Sequence, residues 1–149
     1  MSAIKESVEI DCRPEEAFSY TCDPSHLTEW QESAVAAHVI GEQPLGVGSK
    51  IEVTRRMGRE FTTTLEVTEF DPPRSWHYHG IEGPVRPDIH GTVEPLDGGS
   101  RCRLTIDIDY EGHGLGKALI PLAVRPRARK EFPRDEQMLK SLLERDDRP

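Results

Sequence analysis

Long apolar runs are missing from this sequence. The longest, Ala118 to Val124, is seven residues with Pro121 inside it, against the roughly 20 that a membrane-spanning helix needs. An integral membrane protein is excluded on that ground. The opening stretch MSAIKESVEI holds no apolar segment of signal-peptide length, so no secretory leader is expected. Cysteine is scarce as well. Cys12, Cys22 and Cys102 make an odd number with no CxxC spacing. That reads as three reduced thiols in a cytoplasmic protein, with a redox pair of Cys12 and Cys22 as the sharper alternative. Basic charge is short: 19 Lys and Arg stand against 27 Asp and Glu, a net of −8. A body of that sign is not built to hold nucleic acid, and no DNA partner is expected. Apolar residues are only 35% of the chain, aromatics 6%, and mean hydropathy is −0.61. The 149 residues suit one domain with one core, but the core must be lean.

What is present is alternation. Ile4, Val8 and Ile10 fall on one side of a strand over 4–10, with Glu6 the exception on that side. Pro14, at a first helical position, and the acidic pair Glu15 and Glu16 then open a short helix to about Cys22. Asp23-Pro24 starts a second, from Ser25 to about Trp30. Strands are expected over 34–40, 50–56, 61–70, 75–80, 88–94 and 101–110, joined mostly by turns. The turns are Pro44 to Gly48, Met57-Gly58-Arg59, Asp71-Pro72-Pro73 and Pro95 to Gly99. Pro84 and Pro87 break the chain before the strand at 88. The cleanest alternation sets Cys102, Leu104, Ile106, Ile108 and Tyr110 against Arg101, Arg103, Thr105, Asp107 and Asp109.

After Gly112, Gly114 and Gly116 a helical segment runs to about Arg145. Pro121, Pro126 and Pro133 interrupt it, each at a cost of about 3 kcal/mol in a continuous helix, so a kinked or broken helix is expected. Consecutive hairpins make an antiparallel sheet, and the long helix is the one large element able to cover its apolar face. The fold class is therefore α+β: a curved seven-stranded antiparallel sheet wrapped around a long C-terminal helix, with two short helices after strand 1. There is no internal repeat and no linker, so residues 1–149 form a single domain.

This order resembles the START-like, or helix-grip (Bet v 1-like), superfamily. Within it the chain looks most like the polyketide cyclase/dehydrase and lipid transport group, the SRPBCC domain. The carrying residues are Pro14 to Phe18 on the first helix and Asp23 to Leu27 with Trp30 at the second. Gly46 to Lys50, Glu66 to Pro73 and the closing Leu139 to Glu144 complete the set, which spans nearly the whole chain. The resemblance implies a cavity between the sheet's concave face and the C-terminal helix. Relatives use such cavities for lipids, polyketides, hormones and other hydrophobic molecules, and a minority catalyse cyclisation or dehydration. It implies no cofactor and no universal catalytic residue.

Strand alternation nominates the cavity's side chains. If Ile51 and Val53 face inward, so does Arg55; if Phe61 and Leu65 do, so does Thr63; Tyr110 follows Ile108. With Trp30, Trp76, Tyr78, Ile106, Leu119 and Phe132 these make the candidate ligand-binding set. Arg55, at a strand end, could instead snorkel to water. His77 and His79 share a face and could join His90 or Asp88 around zinc, but no spacing sets a third ligand. No metal is therefore expected, and the histidines are read as solvent-facing beside inward Trp76 and Tyr78. His38 and His90 are further candidates for acid–base work, more simply read as surface residues. Gly46-x-Gly48 lacks the rest of a dinucleotide loop and reads as a turn.

Charge is uneven. Residues 1–100 carry 8 basic and 18 acidic side chains, and residues 101–149 carry 11 and 9. Arg125, Arg127, Arg129, Lys130 and Arg134 cluster on the helical segment, either as a solvated face or as a contact for an anionic partner. The expected partner is a hydrophobic small molecule, with a cyclase/dehydratase using the same cavity as the alternative. A monomer and a homodimer are equally compatible with the sequence.

Overall fold

The computed structural model describes residues 4–57 and 59–144. Gly58, at the centre of an expected turn, and the Arg145 end of the last helix lie outside the described residues. Strand β1 (Ile4–Ile10) leads into α1 (Pro14–Thr21), a 3-10 turn (Pro24–His26) and α2 (Leu27–Trp30). Six strands follow: β2 (Ala34–Ile40), β3 (Lys50–Met57), β4 (Arg59–Asp71), β5 (Ser75–Glu82), β6 (Val85–Leu96) and β7 (Arg101–Gly112). The chain closes with α3 (Gly116–Leu119), a π-helical stretch (Ile120–Val124) and α4 (Arg125–Leu143). Pro14 sits in the first turn of α1 with Glu15 and Glu16 against its positive end. Asp23 caps the 3-10 turn by accepting from the Ser25 N–H at 2.9 Å.

All seven strands form one antiparallel sheet in the order β1-β7-β6-β5-β4-β3-β2. Hairpin succession explains β2 to β7. It does not explain β1, which pairs with the last strand in a register running from Ile4↔Ile108 to Ile10↔Cys102. The Leu96–Arg101 connection turns on three residues with positive φ, Asp97, Gly98 and Gly99 (52°, 73° and 100°), a conformation that glycine adopts without a Cβ clash.

Two expectations about proline are corrected. Strand β6 starts at Val85, so it runs through Pro87 instead of beginning after it. The pairing of β6 with β5 spans only Ser75↔Thr92 to His79↔Asp88. Pro87 and Pro95 therefore lie beyond that ladder, which requires no N–H from them. The C-terminal segment is likewise unbroken: helical conformation continues from Gly116 to Leu143. Pro121 is absorbed in the π-stretch, whose wider turn is closed by the Arg125 N–H on the Ile120 carbonyl. Pro126 follows directly on that stretch, as the second residue of α4. Pro133 sits in the interior of α4.

The sheet curls around the inner face of α4. Ala128, Phe132, Leu139 and Leu143 are buried there against the inward residues of the strands, each large apolar side chain contributing about 1.5–3 kcal/mol. One close approach depends on glycine. A Cβ on Gly91 would stand 2.2 Å from Trp76 Cζ2, so the bare backbone of β6 is what lets the indole lie across it.

Candidate functional site

Between the concave face and α4 lies a cavity with about 100 Å³ open to the centres of water-sized atoms, several times the roughly 10–15 Å³ that one water needs by the same measure. The sheet side is apolar: Val53 from β3, Phe61 and Leu65 from β4, Trp76 from β5 and Ile106 from β7. Val124 and the α4 residues Ala128 and Phe132 close it from the helix side. Thr63 also lines it, and its hydroxyl donates to the Val85 carbonyl at 2.8 Å.

Trp30, Tyr78, Arg55 and Tyr110 complete the sequence-nominated lining, so the structure gathers that set around one space, apart from Leu119. Leu119 is half-buried at the edge of the core. It lies just before the π-stretch, in which Ile120 and Val124 are the buried residues. Arg55 does not reach for water. Its Nη1 donates to Ser33 Oγ at 3.0 Å, and the guanidinium lines the cavity. Among the described residues no carboxylate lies within ion-pair distance of it, although Asp135 and Glu131 act on it from further away.

Sequence reasoning missed this polar end. Gln31, Ser33, Glu131 and Asp135 all line the cavity beside Arg55 and Tyr110. Burial pushes the Asp135 carboxyl up to about 6, even though it accepts the Glu32 N–H at 3.1 Å and is drawn to Arg55. Burial, helped by Glu32, raises Glu131 as well. Burial also raises Tyr110, against the pull of Arg55 and Arg125. The Arg125 guanidinium stands 5.6 Å from the Tyr110 ring centroid and 3.2 Å from Asp109 Oδ1. The signal for the helix residues was the spacing of Val124, Ala128 and Phe132, with Glu131 and Asp135 flanking that stripe. The prolines hid it, because they argued against a continuous helix.

Four buried polar atoms on this lining have no hydrogen-bond partner: Thr21 Oγ1, Trp30 Nε1, Gln31 Oε1 and Glu131 Oε1. Tyr78 faces the Cys22 thiol, and burial raises both groups, Cys22 to about 12.

The histidines lie elsewhere. His77 Nε2 and His79 Nδ1 both approach Asp88 Oδ1, at 2.8 and 3.1 Å, on the outer face of the sheet. His90 stands 3.8 Å from Glu69, and His38 lies 3.7 Å from Glu52. None lines the cavity. Among the described residues no group of three or more His, Cys, Asp or Glu is arranged to hold a metal. No described helix is long and apolar enough to cross a membrane.

Comparison with known proteins gives three kinds of match. The family described as "Polyketide cyclase / dehydrase and lipid transport" matches residues 1–144. An uncharacterized protein of Mycobacterium tuberculosis is 27% identical over 110 residues, covering 72% of this chain and 77% of that one. Among solved structures, TTHA0849 of Thermus thermophilus superposes with a TM-score of 0.75 at 17% identity, covering 95% of this chain and 96% of that one. A START superfamily protein of Mycobacterium smegmatis gives 0.71 at 16%, covering 97% and 95%. The di-domain ARO/CYC BexL of the BE-7585A biosynthetic pathway gives 0.71 at 15%, covering all of this chain (100%) and 48% of that one. At such identities these structures establish a shared fold.

Proposed function

The chain belongs to the polyketide cyclase/dehydrase and lipid transport family, and on that premise we propose that it binds one hydrophobic small molecule between the sheet and α4. The ligand is a lipid, a polyketide or another apolar or aromatic metabolite that carries some polar atoms. One observation carries this reading: an apolar cavity lined by four buried polar atoms without partners. Each such atom costs about 1–3 kcal/mol when left unpaired. A ligand that fills the apolar space and meets even some of these atoms recovers both the burial and the hydrogen bonds. Trp30 Nε1 can only donate, so it selects an acceptor on the ligand. Glu131 Oε1, when ionised, can only accept, so it selects a hydroxyl or another donor.

Native mass spectrometry of the purified protein tests the proposal. The expected result is an adduct of small-molecule mass that organic extraction removes, or saturable uptake of an apolar fluorophore by the stripped protein. Absence of both overturns it.

Asp135 favours a second reading, a cyclase or dehydratase. A carboxyl with a pKa of about 6, in the same cavity as a guanidinium, is suited to moving a proton near neutral pH while the cation faces a developing oxyanion. An Asp135→Asn variant that still binds a poly-keto substrate but no longer turns it over would support that reading. Equal turnover in both proteins would remove it.

A further inference from the structure

We propose that the outward face of the C-terminal helical run docks on an anionic lipid bilayer. Residues Ile120, Val124, Ala128 and Phe132 are buried, four apart. Halfway between and beyond them, Leu122, Pro126, Lys130, Arg134 and Met138 are all exposed. This stripe is apolar at its ends and cationic in its middle: Leu122 is 79% exposed and Met138 48%. Leu115, two turns before Leu122, is 68% exposed. Next to cations, leucines this open form the combination that settles into a headgroup layer.

Exposed cations without an ion pair cluster on this run, whereas elsewhere Lys5, Lys50 and Arg59 are scattered over three strands. Arg13, Arg56, Arg74, Arg101 and Arg103 each close an ion pair with a carboxylate at 2.8 to 3.3 Å. Among the described residues, Lys117, Arg127, Lys130 and Arg134 close none, and all four are exposed. Arg127 and Arg134 act on Glu131 only at longer range. These cations are available to lipid phosphates. The first 100 residues carry 8 − 18 = −10 charges, so an anionic surface repels the body and turns the helix face toward itself. RNA fits less well, because no aromatic residue is exposed on this face for base stacking, and the leucines would have no role there.

The opposite face of the same helical run lines the cavity through Val124, Ala128 and Phe132. Docking would thus set the cavity's cover against the bilayer. The proposal stands on surface residues alone and does not require the cavity to hold a ligand.

Vesicle flotation tests it, with phosphatidylcholine vesicles against vesicles in which part of the lipid is phosphatidylglycerol. The wild type is expected to float with the anionic vesicles at low salt, to be released at high salt, and to ignore pure phosphatidylcholine. Arg127→Glu with Lys130→Glu should weaken binding at least about tenfold, and Leu122→Gln should weaken it at unchanged charge. The milder pair Arg127→Gln with Lys130→Gln, and the salt dependence of the wild type, read the same property should the reversal disturb folding. Failure of the wild type to bind anionic vesicles at low salt overturns the proposal. So does binding that survives both charge variants, or tighter saturable binding to single-stranded RNA than to vesicles.

Discussion

Glu136 of α4 is buried within electrostatic reach of Glu6 on β1, a carboxyl facing a carboxyl across the helix–sheet contact. Burial, with Glu6 and then Asp135 adding repulsion, pushes Glu136 from the ordinary 4.5 up to about 8. One of its oxygens, Oε2, has no partner. The folded state therefore prefers the neutral acid.

The sign of the pH dependence follows. Below about pH 4.5 the group is protonated folded or unfolded, and folding pays nothing for it. As pH rises toward 8 the unfolded chain ionises while the folded protein must hold its proton, so stability falls across that window. Asp135, raised from 3.8 to about 6, adds a similar loss between about pH 4 and 6. We expect urea midpoints to fall from pH 5 to pH 8. Glu136→Gln should remove most of the decline between about pH 6 and 8, a change of order 2 kcal/mol. A wild-type midpoint that is flat over that range would show that Glu136 is already ionised.

Filling the cavity should cost little and block uptake. Ala128 is buried at the cavity wall. Ala128→Leu places extra atoms in open space, whereas in a filled core overpacking costs about 1–3 kcal/mol. The melting temperature is expected to hold or rise while the adduct seen by native mass spectrometry is lost. Destabilisation by the full overpacking cost would mean that the space does not accept a side chain.

Gly91 and Trp76 should be energetically coupled. Gly91→Ala puts a methyl where the indole lies, so it should cost about 2 kcal/mol or more in urea unfolding. In a Trp76→Leu background the same substitution should cost much less. Additive effects in that double-mutant cycle would disprove the coupling.

The cysteines should be silent in the native protein. Cys12, Cys22 and Cys102 are all buried, and a Cys22 thiol near 12 is only about one part in ten thousand thiolate at pH 8. A disulfide exchange reagent should label none of the three quickly in buffer and all of them in urea. Rapid native labelling of Cys22 would contradict its burial in the cavity wall.

Much of this molecule was legible in the amino-acid order because strand alternation is local. The pattern through Cys102, Leu104 and Ile106 assigns an inner face wherever β7 sits. The same logic placed Val53, Arg55, Phe61, Thr63, Leu65 and Tyr110 on the concave side, and Trp76 and Tyr78 opposite the outward His77 and His79. The low apolar share also follows, since one sheet face is wet and the other borders open space. Tertiary structure decided what depends on neighbours. The pairing of β1 with β7 joins the first strand to the last and has no local signal. Pro87 is tolerated because the pairing of β5 with β6 ends at His79↔Asp88. Pro121 lies in a π-helical stretch, and that stretch presents Ile120 and Val124 to the interior while Leu119 stays at the core's edge. Only because the helix runs unbroken through this segment do Glu131 and Asp135 come to share the polar end of the cavity with Arg55. Those three residues are distant in sequence and carry no shared motif, so their chemistry comes from burial and mutual approach, which only the folded chain supplies.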